Sequence, residues 1–242
     1  MYLEALHQFL THIQTNLKRR KGIEKWLTEP HWQALHNFYA QLDFASVVCQ
    51  PTEKTRFVVI DTETTGWHAY SGDEIVSISM LEMQGLHLTG REYQTLINPD
   101  RPIPPETTAI HGIKDEDVKD SPKISEVIPE VIKFIGDSVI VGHHINFDLR
   151  FFNKTMQKIM LCKFLNPWID TMLLYTAYSG RMGHYSLDEI ASICKVENPA
   201  RHTAWGDALA TAKIFQRIAA HMFKPNMVVS DLIKIQHEVG HF

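Results

Sequence analysis

The stretch Phe57-Val58-Val59-Ile60-Asp61-Thr62-Glu63-Thr64-Thr65-Gly66 joins a short apolar run to a pair of acidic residues. The run over residues 57–60 is typical of a buried strand. Alternate residues of a strand point to the same face, so Asp61 and Glu63 are predicted to present two carboxylates side by side. Two like charges this close resist joint ionisation unless a cation neutralises them, and oxygen ligands suit Mg²⁺ or Mn²⁺. The pair therefore predicts a metal site, and the alternative is a polar turn at a strand end.

Outward from this stretch, apolar patterns predict an alternation of strands and helices. Further strands are predicted over residues 75–81, 93–97 and 139–142, and helices over residues 124–135, 147–160 and 207–223. Ser186 and Glu189 have the spacing of a capping box, which predicts a helix start at this point. The predicted order begins with three strands, after which helices alternate with a further strand. This order indicates an α/β sheet with helices on its faces.

Composition limits the class of protein. The chain has 242 residues and is 44% hydrophobic, which suits one globular domain with an appendage. No run reaches the roughly 18 apolar residues of a membrane span, so no membrane partner is expected. Three cysteines are too few for a disulfide framework, and the polar residues of the N-terminus do not suit a secretion signal. A cytoplasmic protein is expected. Its net charge of -4 argues against a partner held by a broad basic surface.

Residues 1–50 are predicted to form a helical extension that packs on the main domain, residues 51–226, with residues 227–242 as a C-terminal tail. One amphipathic helix is predicted from Leu3 to Leu17. Residues 18–21 are a basic run, interpreted either as a solvated helix end or as a phosphate or DNA contact. A second helix is predicted to begin at Thr28-Glu29-Pro30, and its apolar face would comprise Leu35, Phe38, Tyr39 and Leu42.

Two further acidic motifs follow the first. Gly142-His143-His144-Ile145-Asn146-Phe147-Asp148 succeeds a predicted buried strand and leads into a helix, so Asp148 is predicted to add a carboxylate at the sheet edge. In Arg201-His202-Thr203-Ala204-Trp205-Gly206-Asp207, Asp207 begins a helix and His202 lies in the preceding loop. Acidic residues occur at three separate strand or helix ends, with a histidine near the last. This pattern favours a functional site over polar residues that are merely exposed to solvent.

With these motifs in this order, the chain resembles the DEDDh (DnaQ-like) 3′–5′ exonucleases. The matching signatures are DTETTG at residues 61–66, HxxxFD at 143–148 and HxxxxD at 202–207, and residues 108–113 match a further family segment. The resemblance spans residues 56–223 and is closest to the proofreading epsilon subunit of bacterial DNA polymerase III. It implies a ribonuclease-H-like fold, a mixed five-stranded sheet flanked by helices.

The resemblance also implies a set of site residues. The metal-binding acids would be Asp61, Glu63, Asp148 and Asp207, and the catalytic base would be His202. The residues that contact the 3′-terminal nucleotide would be Thr64, Thr65, Gly66, Ile110, His111, His143 and Phe147.

The implied function is hydrolysis of DNA from its 3′ ends, in proofreading or repair, with release of nucleoside 5′-monophosphates. Two Mg²⁺ or Mn²⁺ ions would support an in-line displacement. The expected partner is a single-stranded or frayed DNA 3′ end. Two alternatives stay open: an exonuclease of RNA or short oligoribonucleotides, and a non-catalytic nucleic-acid-binding module. The short C-terminal tail does not favour association with a DNA polymerase, although such a partner is not ruled out.

Three features depart from the family pattern or compete with it. His144 stands where the family usually has Asn, which is expected to alter a local hydrogen bond. His237-Glu238-Val239-Gly240-His241 fits HExxH, the zinc-protease signature, but it is interpreted as a coincidence because a third ligand is missing and Gly240 weakens a helix. Asp170 is interpreted as a helix N-cap, with a metal ligand as the alternative.

Overall fold

The computed structural model describes residues 30–160 and 162–239, and within them the backbone forms a five-stranded mixed sheet. The order of the strands across the sheet is β3-β2-β1-β4-β5. Strand β1 pairs antiparallel with β2 and parallel with β4; β2 pairs antiparallel with β3, and β4 parallel with β5. The strands are β1 Arg56–Thr64, β2 Ile75–Gln84, β3 His87–Leu96, β4 Val139–Gly142 and β5 Trp168–Asp170.

Helices precede, connect and follow the strands. In chain order they are α1 Pro30–Gln41, α2 Phe44–Val47, α3 Pro105–His111, α4 Asp115–Val118, α5 Ile124–Ile135, α6 Asn146–Met160, α7 Thr171–Ser179, α8 Leu187–Ile193, α9 Ala204–Met222 and α10 Val229–Val239. The architecture confirms the predicted mixed sheet flanked by helices.

Strand β1 lies at the centre of the sheet, and its alternating side chains divide the core between the two faces. Phe57 and Val59 pack on the side of α9, where the ring centroids of Phe57 and Phe215 are 5.1 Å apart. Val58 and Ile60 face the other side and pack with residues of α5 and α6. Burying an apolar side chain of this size stabilises the fold by about 1.5–3 kcal/mol. The core therefore fixes the position of the residues that follow Ile60.

The predicted elements with clear apolar periodicity are confirmed in their positions. The strand at 139–142 and the helix at 124–135 have the predicted bounds. Strand β3, however, begins at His87 rather than at the predicted Tyr93. It lies at the sheet edge and is mostly exposed, so its sequence lacks the alternation that marks a half-buried strand.

The two capping interpretations are confirmed. The Ser186 hydroxyl accepts from the backbone N–H of Glu189 at the start of α8, and the Glu189 carboxylate accepts from the backbone N–H of Ser186 in return. Asp170 caps α7, with its Oδ1 2.9 Å from the backbone nitrogen of Met172.

The part of the N-terminal extension within the described residues forms α1 and α2. Helix α1 includes Pro30 and buries Leu35 and Tyr39, as predicted. The predicted apolar face is wrong at Phe38, which is 38% exposed because α1 packs on the domain through a narrower stripe. The predicted helix over residues 3–17 and the basic run at 18–21 lie outside the described residues.

The C-terminal segment, which was predicted as a tail, contains helix α10. Val229 and Leu232 are buried in the same core cluster as Phe57. The Gln236 side chain accepts from the backbone nitrogen of Asp170 at 2.9 Å and donates to the Trp168 carbonyl at 2.8 Å. Residues 237–239 of the HExxH match continue this helix, and its last histidine lies outside the described residues. Among the residues that the structure describes, no helix combines the length and apolar character needed to cross a bilayer.

Candidate active site

The carboxylates of Asp61, Glu63 and Asp207 converge at the end of strand β1. Each offers an oxygen atom, and these three atoms lie within 4.8 Å of one another. Asp61 and Glu63 project from the same face of β1, as their spacing predicted, and Asp207 comes from the first turn of α9. A set of carboxylate oxygens at this spacing is of the kind that binds Mg²⁺ or Mn²⁺.

The start of helix α9 places Asp207 in this cluster. Thr203 caps the helix, and its hydroxyl accepts from the backbone nitrogen of Gly206 at 3.1 Å. A Cβ atom on Gly206 would lie 2.0 Å from the carbonyl oxygen of Ala200, so only glycine allows the helix to approach the preceding loop this closely. That loop holds Asp207 directly: Asn198 Nδ2 donates to Oδ1 at 2.6 Å, and Arg201 Nη1 donates to Oδ2.

Asp148 approaches β1 from the opposite face of the sheet. It lies in the first turn of α6, and its Oδ1 accepts from the hydroxyl of Thr62 at 2.6 Å. Thr62 alternates with Asp61 and Glu63 along the strand, so its side chain points away from theirs. Asp148 is buried and lies outside the group of three converging oxygens, although its charge acts on Asp61.

Burial and mutual repulsion hold protons on these acids. Burial raises the pKa of Asp61 well above its usual range, and the charges of Asp148, Asp207 and Glu63 add to the effect. The pKa of Glu63 rises to about 7 through burial and the charges of Asp207 and Asp148. Burial likewise raises the pKa of Asp148 to about 7. Acids arranged in this way fit a divalent cation, because it would favour their ionised forms.

His202 lies at the mouth of the same site. Its backbone is in the left-handed region with a φ of 64°, and its side chain is exposed. This backbone turn precedes α9 by two residues and brings the imidazole to the wall of the cavity that contains Asp61, Glu63 and Asp207. Non-glycine residues adopt such a φ infrequently, and they do so more often at functional sites.

The cavity has a volume of about 470 Å³. The predicted substrate-contacting residues that line it are Thr64, Gly66, Ile110, His111 and Phe147. Ile110 and His111 end helix α3, whose last turn faces the carboxyl end of β1 across the cavity. The remaining lining residues are Thr62, Trp67, Thr107, Ala109 and Arg201, together with Asp61, Glu63, Asp207 and His202.

Two predicted substrate-contacting residues, Thr65 and His143, are not part of this lining. Thr65 is buried, and its backbone nitrogen donates to the Glu74 carbonyl at 2.8 Å. The His143 ring lies 3.0 Å from both the Thr171 hydroxyl and the Tyr185 carbonyl. These contacts connect the end of β4 to the start of α7 and to the loop before α8. In this structure both residues support the walls of the site.

His144 stands beside the candidate site, at the position where the family usually has Asn. Its backbone φ is 54°, and its ring stacks on that of His184 with a centroid distance of 4.3 Å. Its backbone nitrogen donates to Oδ1 of Asp170 at 3.2 Å.

The residues of the site that were not identified from the sequence include Thr62, Trp67, Asn198 and Arg201. Trp67 is 68% exposed, and its ring centroid lies 5.6 Å from that of Phe147. Trp67 and Arg201 stand next to recognised motif residues, so adjacency in sequence was an available signal for both. Asn198 carries no comparable signal, because its contact with Asp207 depends on the turn of the loop.

Comparisons with known proteins agree with this geometry. Residues 58–215 match the model of the RNase_T family, described as Exonuclease. A DNA polymerase III subunit epsilon of Rickettsia typhi is 36% identical over 167 residues, which cover 66% of this chain and 72% of that protein. A DNA polymerase III subunit epsilon-like protein of Rhodobacter capsulatus is 41% identical over 172 residues, or 69% of this chain. The chain spans only 24% of the length of that relative, and 16% of a similar PolC-type DNA polymerase III of Thermotoga maritima.

Solved structures share the fold. Exonuclease X in complex with 5′ overhanging duplex DNA is 27% identical, with a TM-score of 0.58 over 74% of this chain and 99% of that one. The nuclease domain of 3′hExo, a DEDDh family member bound to rAMP, is 14% identical, with a TM-score of 0.61 over 71% of this chain and 95% of that one.

Proposed function

The chain belongs to the RNase_T family of exonucleases, as its motifs predicted, and from this premise we propose that it is a metal-dependent 3′–5′ exonuclease that acts on DNA 3′ ends. The observation that carries the proposal is the convergence of Asp61, Glu63 and Asp207 within 4.8 Å, in a cavity that His202 also lines. The products would be nucleoside 5′-monophosphates, released one at a time.

The acids are proposed to hold two divalent ions, Mg²⁺ or Mn²⁺. Such ions supply activation of the attacking water and stabilisation of the leaving 3′ oxygen. Asp61, Glu63 and Asp207 fit this role because their oxygen atoms already converge. We propose Asp148 as the fourth acid of the set. Its hydrogen bond with Thr62 keeps its carboxylate oriented against β1.

His202 is proposed as the general base. It is exposed to solvent, lines the cavity and precedes the Asp207 helix. A neutral imidazole can remove a proton from water as a general base. His202 would accept the proton of the attacking water as its oxygen bonds to phosphorus, while the bond to the leaving 3′ oxygen breaks.

The terminal nucleotide is proposed to occupy the cavity between β1 and α3. Thr64 and Gly66 would face its sugar and phosphate, Phe147 would stack on the base, and Ile110 and His111 would close the opposite wall. Thr65 and His143 are proposed to act from behind this wall. Because a few nucleotides are gripped in a cavity, a protein with a net charge of -4 can bind DNA in this way.

The choice of DNA follows from the relatives, which include subunits of DNA polymerase III. We propose a cytoplasmic location on the same basis. Among the described residues, Cys49, Cys162 and Cys194 form no disulfide, which agrees with a reducing compartment. Association with a polymerase is a separate hypothesis, which co-purification with the replicative polymerase tests.

Digestion of 5′-labelled oligomers tests the proposal. Matched DNA and RNA strands are incubated with Mg²⁺ or Mn²⁺ and resolved on a sequencing gel, with Asp61→Asn protein as the control for contaminating nuclease. We expect a ladder that shortens by one nucleotide from the 3′ end, faster on DNA, and abolished by chelator. A ladder on RNA alone would establish the exoribonuclease alternative. No ladder on either polymer would favour a binding module.

A further inference from the structure

Arg201 brings a positive charge into the acidic cluster. It lines the cavity with Asp61 and Glu63, and its side chain is 29% exposed. Its Nη1 donates to Oδ2 of Asp207, and its Nε donates to Oδ1 of Asp188 at 2.6 Å. The proposed function assigns roles to the general base and to the metal-binding acids, but none to this guanidinium.

The two carboxylate partners of Arg201 have different surroundings. The Asp207 side chain is 8% exposed and lies in the cavity, whereas the Asp188 side chain is 61% exposed and is not among the lining residues. Both oxygens of Asp207 are engaged, Oδ1 by Asn198 and Oδ2 by Arg201. A divalent ion that binds Oδ2 would therefore compete with the guanidinium for this oxygen.

A displaced Arg201 side chain would stay close to the cavity. Its backbone is fixed by the tight approach of Ala200 to Gly206, and its Nε keeps the partner Asp188. The two terminal nitrogens would then be free, and they form the planar fork that binds phosphate oxygens in pairs. The anionic group expected in this cavity is the phosphate of the substrate strand.

We propose that Arg201 is a phosphate-binding residue that stays on Asp207 until a divalent ion displaces it. In the metal-free protein the guanidinium neutralises part of the acidic cluster. In the metal-bound protein it contacts the nucleotide phosphate while Asp188 holds its Nε. This inference rests on the proposed function, since that function places a nucleotide in the cavity.

Two titrations of the full chain test the proposal with wild type, Arg201→Gln, Arg201→Lys and a control, Arg91→Gln. Arg91 also pairs with a carboxylate, Glu82, but it lies on the edge strand β3 away from the cavity. The first titration measures Mn²⁺ affinity by calorimetry without nucleotide. The second measures the affinity for thymidine 5′-monophosphate in saturating Mn²⁺.

We expect Arg201→Gln to bind Mn²⁺ roughly tenfold more tightly, because the competing cation is removed, and to bind the nucleotide roughly tenfold more weakly, because the phosphate loses a charged fork. Arg201→Lys keeps the charge but not the fork, so its nucleotide affinity should also fall. Arg91→Gln should match wild type in both titrations.

Unchanged or weaker Mn²⁺ affinity in Arg201→Gln would overturn the competition with metal. Unchanged nucleotide affinity would overturn the phosphate contact. If Arg201→Gln does not fold, as judged by circular dichroism, Arg201→Lys decides the phosphate contact, and nucleotide affinity equal to wild type would overturn it. These titrations need no turnover, so a wild-type protein that digests neither DNA nor RNA would remove the proposed function and still leave Arg201 tested.

Discussion

The partly buried carboxylates at the two ends of strand β1 have opposite electrostatic surroundings. Where the strand begins, Glu82 of the neighbouring strand faces two cations: Arg56 Nε at 2.6 Å and Arg91 Nη1 at 3.1 Å. Where the strand ends, Asp61 and Glu63 face Asp207 and Asp148, and the cation close to them is Arg201.

The pKa values follow this difference in charge. Burial raises the pKa of Glu82, but the hydrogen bond and charge of Arg56, with smaller contributions from Thr89 and Arg91, outweigh it and hold the pKa below its usual value. The pKa of Glu63 instead rises to about 7 through burial and the charges of Asp207 and Asp148. Ionisation near neutral pH therefore stabilises the fold at one end of β1 and opposes it at the other. Acids whose ionisation is unfavourable in the folded protein are characteristic of catalytic and metal-binding sites.

The largest expected effect comes from removing the acids at the functional end. Asp61→Asn, Glu63→Gln, Asp148→Asn and Asp207→Asn should each lower turnover by roughly 10³-fold or more, because each loses a carboxylate charge that the proposed function assigns to metal binding. Single-turnover cleavage of a 5′-labelled DNA strand measures the loss. Circular dichroism and thermal melting should show folded proteins.

Glu82→Gln is the matched control for these substitutions, since it removes a carboxylate at the other end of β1. It should retain wild-type turnover per folded molecule. Cleavage at the wild-type rate by any one of the four acid variants would exclude that residue from the site.

The next effect concerns His202. His202→Ala should lower kcat by roughly 10²–10⁴-fold, the range expected for loss of a general base, while Mn²⁺ and DNA binding persist. The reason is that His202 lines the cavity without a place among the converging carboxylates. Calorimetric titration and pre-steady-state cleavage separate binding from chemistry. Turnover near that of wild type would leave the base unidentified.

Much of the functional end was predictable from sequence, because its residues are arranged by local rules. The strand period placed Asp61 and Glu63 on one face. The motif predicted that Asp207 begins a helix; α9 instead begins at Ala204 after the Thr203 cap, so Asp207 lies within its first turn. Clear hydrophobic patterns also predicted β4 and α5.

Contacts between distant segments were not predictable. The Thr62 hydroxyl meets Asp148 across 86 positions of sequence, and Gln236 reaches β5 across 66. No local pattern encodes these distances, which depend on how the helices pack. Strand β5 was not predicted because it has only three residues, too few to show a periodic pattern. Helix α10 was not predicted because its apolar residues pack on a core built by distant segments of the chain.

A smaller effect is the dependence of stability on pH in the absence of metal. The pKa of Glu63 rises from 4.5 and that of Asp148 from 3.8, both to about 7, so between roughly pH 4 and 7 the folded protein holds protons that the unfolded chain has released. The free energy of unfolding should then fall as pH rises through this window, by several kcal/mol in all. Melting temperatures in chelator from pH 4.5 to 8 measure the fall.

Added Mg²⁺ or Mn²⁺ should remove most of this decline, because the ions bind the ionised carboxylates of the folded protein. Asp148→Asn should flatten the decline in part. A melting temperature that rises steadily with pH in chelator would show that the acids are not held protonated, and the contrast between the two ends of β1 would fail.

The smallest expected effect is at the beginning of β1, where Glu82 pairs with Arg56. It tests whether removing a carboxylate charge lowers the free energy of unfolding there but not at the other end of the strand. Glu82→Gln should lower the free energy of unfolding at pH 7 by only about 1–2 kcal/mol. It removes the negative charge that pairs with Arg56, but a Gln oxygen can still accept from Arg56, which also donates to the Ile135 carbonyl at 2.7 Å and to Ser138. Glu63→Gln, measured beside it in chelator, should leave the free energy of unfolding unchanged or raise it, because it removes a repelled charge. Urea denaturation at pH 7 measures both variants under the same conditions. If both substitutions destabilised the protein equally, charge pairing would not distinguish the two ends of the strand, and the acids after Ile60 would have to be regarded as part of what holds the fold together.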